Sequence, residues 1–263
     1  MPLKKMSEKA YRDAEGLNKS LLVPFMRSPK HYLQELQEPK EATESMNLGT
    51  ALHAELLRPE VASDIYAVMK KVDKRTTAGK EYAAQFAAEN AGKVIINEEQ
   101  KIALDGMREN AMSHPAARRL IEEATHTEQA MFADYKASGT DHRFTVKAMA
   151  DGILEGEGIV FDIKTTESAT PQEFAKKVRA FRYDIQQVHY TFAATSSGIY
   201  VKEFPFIVIE NVKPFGVAVY TLDGERIKRT WDEWKQAMEY YAHCHQKQDF
   251  SACYSESICE LTF

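Results

Sequence analysis

The sequence predicts a mixed α/β fold in which a helical N-terminal portion is joined to a sheet-bearing core. Three observations carry this. Up to Thr125, apolar residues recur at steps of three and four between cap and stop residues. After Thr127 the pattern changes to apolar/polar alternation with a period of two. Two further helical patterns then precede two more alternating runs. The expected division is a helical portion over 1–125 and an α/β core with C-terminal helix and tail over 126–263, within one unit.

Taken in order, Ser28-Pro29 opens a helix, with a serine cap and proline at the first helical position. Gln37 to Asn47 is polar and reads as an exposed loop. Leu48, Ala51, Leu52 and Leu56 keep helical spacing until Pro59 stops them. Lys70 to Lys80 reads as a basic connection, and helices are expected over Glu81–Ala91, Asn97–Ser113 and Pro115–Ala124. Phe144–Asp151 and Ile159–Lys164 then alternate as strands around Glu155-Gly156-Glu157-Gly158, a turn of hairpin length. Helices follow over Pro171–Tyr183 and Ile185–Thr195, and strands over Phe204–Ile209 and Gly216–Thr221. Ile227, Trp231, Trp234, Met238 and Tyr241 form the core-facing stripe of a last long helix.

Composition narrows the class. The chain has 263 residues, 44% hydrophobic and 28% charged, the balance of a globular protein rather than a disordered or fibrous one. No run of about 18 apolar residues is present, so no membrane helix is expected. Lys4-Lys5 near the start precede no apolar core, which argues against a secretory signal. Three cysteines confined to the tail, Cys244, Cys253 and Cys259, are no disulfide framework, and a cytoplasmic location is expected. The net charge of −5 would repel nucleic acid as a whole. Any phosphate-binding surface must be a local basic patch or be bridged by metal ions.

The hairpin carries the sharpest chemistry. Asp151 ends one strand, and Asp162 and Lys164 share a face of the next. Two carboxylates brought to one point repel, and a divalent cation is the ordinary remedy. Oxygen ligands suit Mg²⁺ or Mn²⁺ rather than zinc, and a neighbouring lysine can position a water. By itself this is also the pattern of a solvated strand face. Beyond it, Lys176, Arg179 and Arg182 fall at steps of three with Lys177 beside them, while Phe174, Val178 and Phe181 form the buried stripe. That basic face suits a polyanion held near metal, or simply solvent. Gln186 and Tyr190 lie one helical turn apart. His53 sits in the small-residue run Gly49-Thr50-Ala51-Leu52-His53, as a packed residue or as a ligand.

Together these elements resemble the PD-(D/E)xK nuclease superfamily. They are Gly49-Thr50-Ala51-Leu52-His53, Glu128, Asp151, Asp162-Ile163-Lys164 and Gln186-x-x-x-Tyr190, in that order. Within the superfamily they are most similar to the RecE-like exonucleases, also called exodeoxyribonuclease VIII. Ser28-Pro29-x-His31-Tyr32 and Thr165-Thr166 fit the same group, and the likeness spans about residues 20 to 245. One departure is visible: Ala150 stands where the superfamily's name has proline.

The resemblance implies a restriction-endonuclease-like core, a mixed central sheet flanked by helices. It implies that Asp151, Asp162, the Ile163 backbone carbonyl and His53 hold Mg²⁺, for which Mn²⁺ can substitute. Glu128 would be a further acidic member, and Lys164 would orient the attacking water. Gln186 and Tyr190 would support the site or contact DNA beside Lys176, Lys177, Arg179 and Arg182. It further implies 5′→3′ digestion of linear duplex DNA by a ring-shaped homo-oligomer, giving 3′ single strands for an annealing partner in a bacterial or phage-infected cell. An endonuclease of the same fold, or a DNA-binding module without activity, are the alternatives. Some members hold an iron–sulfur cluster on one early and three late cysteines. No early cysteine exists here, so none is expected, and adjacent His243-Cys244-His245 is a poor zinc site.

Overall fold

The computed structural model describes residues 3–38, 42–73 and 75–254. In chain order these form β1 (Lys4–Lys5), α1 (Glu8–Asp13), α2 (Lys19–Arg27), α3 (Pro29–Gln37), α4 (Glu44–Leu57), α5 (Ala62–Ile65), β2 (Tyr66–Met69), α6 (Thr77–Glu89), β3 (Val94–Asn97), α7 (Glu98–Ser113) and α8 (Pro115–Glu122). The second half follows as β4 (His126–Lys136), β5 (Arg143–Leu154), β6 (Ile159–Thr166), α9 (Pro171–Phe181), α10 (Tyr183–Ser196), β7 (Phe206–Glu210), β8 (Val217–Tyr220) and α11 (Gly224–Lys247). Cys259 lies outside the described residues.

Six strands make one mixed sheet in the order β1-β4-β5-β6-β7-β8, antiparallel except for the parallel β6–β7 pair. A parallel pair needs a long crossover, and α9 with α10 provides it. The sheet is covered on both faces. Phe161, Ile163, Ile207 and Ile209 pack with α4, α7 and α8 through Leu52, Leu104 and Leu120. Val160, Phe206 and Val208 pack with α9 and α10 through Phe174, Val178 and Ala193. A third cluster joins Leu22 and Phe25 of α2 to Val188 of α10 and Trp234 and Met238 of α11. The N-terminal helices therefore share their cores with the sheet and with the C-terminal helix.

Several elements depart from the sequence reading. β4 is a full strand because Ala130 to Ala133 are all buried between the two helical layers, so no alternation marks it. The short parallel pair β2–β3 is likewise unmarked. α4 starts at Glu44, inside the expected loop, with Thr43 accepting from the Met46 N–H as its cap. Thr77–Lys80 belongs to α6 rather than to a connection. β5 continues past Asp151 to Leu154. Phe181 is 50% exposed rather than buried, because α9 ends there and Arg182 turns left-handed (φ 51°).

One buried polar link has a pH consequence. Trp234 Nε1–H donates to His189 Nδ1 at 3.1 Å, which leaves His189 Nε2–H to donate to the Lys147 carbonyl at 3.2 Å. Burial pulls the His189 pKa down to about 4. The folded state thus refuses a proton that the unfolded chain accepts near 6.5. Stability from this residue is present above pH 6.5 and lost as pH falls toward 4, on the order of 3 kcal/mol. Urea unfolding at about pH 7 and about pH 4.5 should show a smaller acid loss in His189→Gln than in the wild type. Equal losses would show that His189 does not drive acid sensitivity.

Candidate active site

The site arises where two strands part. β5 and β6 pair at Leu154↔Ile159, Ile153↔Val160 and Gly152↔Phe161, and the ladder stops there. From Asp162 onward β6 pairs instead with β7, and the Asp162 N–H donates to the Pro205 carbonyl at 3.2 Å. Gly152 fits this last pair because the Phe161 ring lies across it; a Cβ there would come within 2.1 Å of the ring. In the fork beyond, the Asp151 carboxylate replaces a strand: Oδ2 accepts from the Ile163 N–H at 2.6 Å. The N–H and C=O of a strand residue share an edge, so the Ile163 carbonyl also borders the fork.

Asp162 faces the α10 side and is 3% exposed. Its Oδ1 accepts from Gln186 Nε2–H. Its Oδ2 pairs with Lys164 Nζ at 2.5 Å, and no other donor among the described residues reaches it. Lys164 stands over the Tyr183 ring, 4.7 Å from its centroid. Burial pulls the Lys164 pKa down, but Asp162, Tyr183 and Asp151 outweigh it and the net shift is upward. Lys164 is therefore an ammonium at neutral pH, a donor rather than a base.

Asp151 is 9% exposed, and its Oδ1 lies 3.4 Å from His53 Nδ1 of α4. Gly49, one turn earlier, faces β6, where a Cβ would meet Thr165 Oγ1 at an ordinary contact distance of 3.7 Å. Burial pushes the Asp151 pKa up to about 6; the nearby His53 and Lys164 oppose the shift and Asp162 adds to it.

The remaining expected residues are placed less uniformly. By register Glu128 falls opposite Asp151, between Thr127↔Gly152 and Gln129↔Ala150, but with φ 47°. Its carboxylate is ion-paired with Arg58 at the end of α4. Tyr190 is half-buried against Phe204, and burial with nearby Tyr11, Asp162 and Asp151 raises its phenol well above its usual range. The four cations after the hairpin do not form one face. Lys176 pairs with Glu173, Lys177 stands over Phe181, and the left-handed turn carries Arg182 onto Asp184 and Glu233. Lys176 and Arg179 keep the expected positions on exposed α9 surface.

Two residues escaped sequence reasoning. Tyr183 is the ring under Lys164, hidden as the expected last residue of a single helix. Lys19 lies 5.4 Å from the same ring, and burial with the neighbouring Lys164 lowers its pKa to about 8. Asn18 as a cap before Leu21, Leu22 and Phe25 at helical spacing was the signal for α2.

Among the described residues no three His, Cys, Asp or Glu side chains form a ready metal cluster. His53 with Asp151 and Asp162 with Lys164 stand as adjacent pairs. Mg²⁺, however, uses only one or two carboxylates and keeps several waters. Two buried carboxylates, one with an oxygen partnered among the described residues by Lys164 alone, beside a strand-edge carbonyl fit that requirement. His53 adds a nitrogen donor better suited to Mn²⁺. His53→Ala is expected to weaken Mn²⁺ binding on the order of tenfold, with little change in melting temperature, since its side chain is 27% exposed. Calorimetric titration and thermal melting of the same variant check this. A lowered melting temperature with unchanged Mn²⁺ affinity would make His53 a packing residue only.

A mixed sheet that forks at an aspartate, with Asp-x-Lys on the departing strand, defines the PD-(D/E)xK nuclease-like class. The chain belongs to the family described as "PDDEXK-like domain of unknown function (DUF3799)", whose profile matches residues 18–262. No curated protein sequence matches it significantly. Among solved structures it is similar to one from Eubacterium rectale described as a "Putative exonuclease", with TM-score 0.61 and 11% identity, covering 94% of this chain and 88% of that one. At that identity the likeness shows the fold. The crystal structure of SSO0001 also aligns, at 14% identity over 83% of this chain and 86% of that one, with TM-score 0.32. Nucleases of this class generally depend on divalent metals, and among the described residues no helix is long and apolar enough to cross a membrane.

Proposed function

We propose that this protein is a metal-dependent exodeoxyribonuclease that digests linear duplex DNA, 5′→3′, leaving 3′ single strands. The observation that carries the reading is the fork. Asp162 Oδ2 is buried there with the Lys164 ammonium as its one partner among the described residues, next to Asp151 and the Ile163 carbonyl edge. Asp151, Asp162 and the Ile163 carbonyl, with His53 beside Asp151, would hold Mg²⁺ or Mn²⁺. Bound there, the ion offsets the negative phosphate oxygens and eases ionisation of a water.

The chain's own groups do the rest. Lys164, kept protonated by Asp162, donates to the attacking water and offsets charge gathering on the phosphorus oxygens. Gln186 fixes the Asp162 carboxylate, and Tyr183 supports the lysine from below. Water oxygen bonds to phosphorus and gives up a proton to solvent, the bond to the 3′ oxygen breaks and that oxygen takes up a proton from solvent, and the departing nucleotide keeps a 5′-phosphate. Likeness to RecE-like exonucleases supports the polarity, a homo-oligomeric ring, a single-strand annealing partner and a bacterial or phage-infected cytoplasm as parts of the same reading.

The test is incubation with Mg²⁺ and linear duplex carrying separate 5′ and 3′ labels, beside closed circular DNA. Early release of the 5′ label with the circle intact is the expected result. Cutting of the circle would instead indicate an endonuclease, and binding without cleavage an inactive module.

A further inference from the structure

Beside the fork, the α9–α10 junction and α11 build a second cationic site. The left-handed Arg182 brings its guanidinium onto Asp184, a carboxylate only 2% exposed. Asp184 accepts from Arg182 Nε at 3.1 Å, an Arg226 terminal nitrogen at 2.9 Å, Thr230 Oγ1 at 3.3 Å and the Ile185 N–H at 2.9 Å. Arg182 also reaches Glu233 at 2.5 Å. Arg179 from α9 and Arg229 from α11 complete the rim of an open groove of about 460 Å³.

The charges do not balance within the fold. Four arginines face two carboxylates, Asp184 and Glu233, leaving a local excess of two positive charges in a chain whose net charge is −5. Among the described residues Arg179 and Arg229 have no ion pair or hydrogen-bond partner. Arg226 Nε is buried and also lacks an acceptor. A buried donor left unsatisfied is unfavourable. Guanidinium forks match the paired oxygens of a phosphate, and Asp184 holds two of them in fixed orientation. The groove is also next to the fork. Tyr183, flanked by Arg182 and Asp184, is the ring beneath Lys164, and both flanking residues act electrostatically on Lys19.

We infer that the groove of Arg179, Arg182, Arg226 and Arg229, organised by Asp184, binds a backbone phosphate of DNA other than the one cleaved at the fork. The identity of the polyanion rests on the nuclease reading; the anion site itself does not. Arg179→Ala/Arg229→Ala is the variant of choice, because neither side chain is tied into the fold. Binding of a duplex of about 20 base pairs, with 5′-hydroxyl or 5′-phosphoryl ends, is followed by fluorescence anisotropy in Ca²⁺ over a KCl series, with melting temperature as a folding control.

The double variant should melt like the wild type and bind both duplexes about tenfold or more weakly, with the salt slope reduced by roughly 1–2. Unchanged affinity and slope would overturn the inference. Loss confined to the 5′-phosphoryl duplex would overturn the backbone assignment in favour of a terminal phosphate. Protection of the wild type from melting by inorganic phosphate, with DNA binding unaffected by the substitutions, would overturn it in favour of a free anion. Cleavage is scored separately on wild-type protein: a wild type that binds through these arginines but never cuts would sink the nuclease reading and leave the groove standing.

Discussion

Replacing Lys164 by alanine is expected to lower phosphodiester cleavage on the order of 10²-fold or more, the scale of losing a group that stabilises transition-state charge. The same substitution removes the cation 2.5 Å from Asp162 Oδ2, the one partner of that oxygen among the described residues. In EDTA this leaves a buried carboxylate uncompensated, and breaking such a pair costs about 3–5 kcal/mol. Added Mg²⁺ should recover much of that loss, since it supplies positive charge at the same carboxylate. The lysine therefore has a dual signature: activity that Mg²⁺ does not rescue and stability that it does. Single-turnover cleavage and melting curves with and without Mg²⁺ check both. Near-normal turnover would reduce Lys164 to a structural partner of Asp162.

The contrast between what was legible and what was not follows burial. The β5–β6 hairpin was readable because its turn is marked by glycines and Asp162 and Lys164 interrupt an apolar run. α3 was readable from its cap, Ser28 before Pro29. β4 was not, because a strand covered on both faces loses its alternation. The break between α9 and α10 was expected at Asp184 but falls two residues earlier, at Arg182, because nothing in the composition announces a left-handed arginine.

That two-residue shift reorganises the site more than any other misreading. A continuous helix would align Lys176, Arg179 and Arg182 on one face and place Tyr183 at its end. The observed turn instead starts α10 at Tyr183, sets its ring under Lys164 and sends Arg182 toward α11. The cationic groove consequently draws Arg226 and Arg229 from a helix much later in the sequence, a pairing that no local spacing encodes. Residues within the fork are different. Asp151, Asp162, Lys164 and Gln186 are brought together by one hairpin and the following crossover, so their order along the chain already implies their proximity.

Asp151→Asn should abolish cleavage and, in EDTA, make the protein more stable at about pH 8. Burial raises the Asp151 pKa from 3.8 to about 6, so the folded state disfavours its carboxylate form. For a group whose folded pKa is raised, the stabilising contribution is complete below about pH 4 and lost as pH rises through 6. Asparagine cannot ionise and is spared that loss, while its side-chain oxygen still accepts from the Ile163 N–H. The gain should be about 1–3 kcal/mol near pH 8 and vanish near pH 4. Mg²⁺ reverses the ranking, because the wild type gains binding free energy that the amide variant cannot. Melting both proteins at about pH 4, 6 and 8, with EDTA and with Mg²⁺, separates these contributions. A variant no more stable than the wild type at the alkaline end in EDTA would show that Asp151 is held as a comfortable carboxylate by His53 and Lys164. Buried charge would then not be the strain that this site keeps for metal.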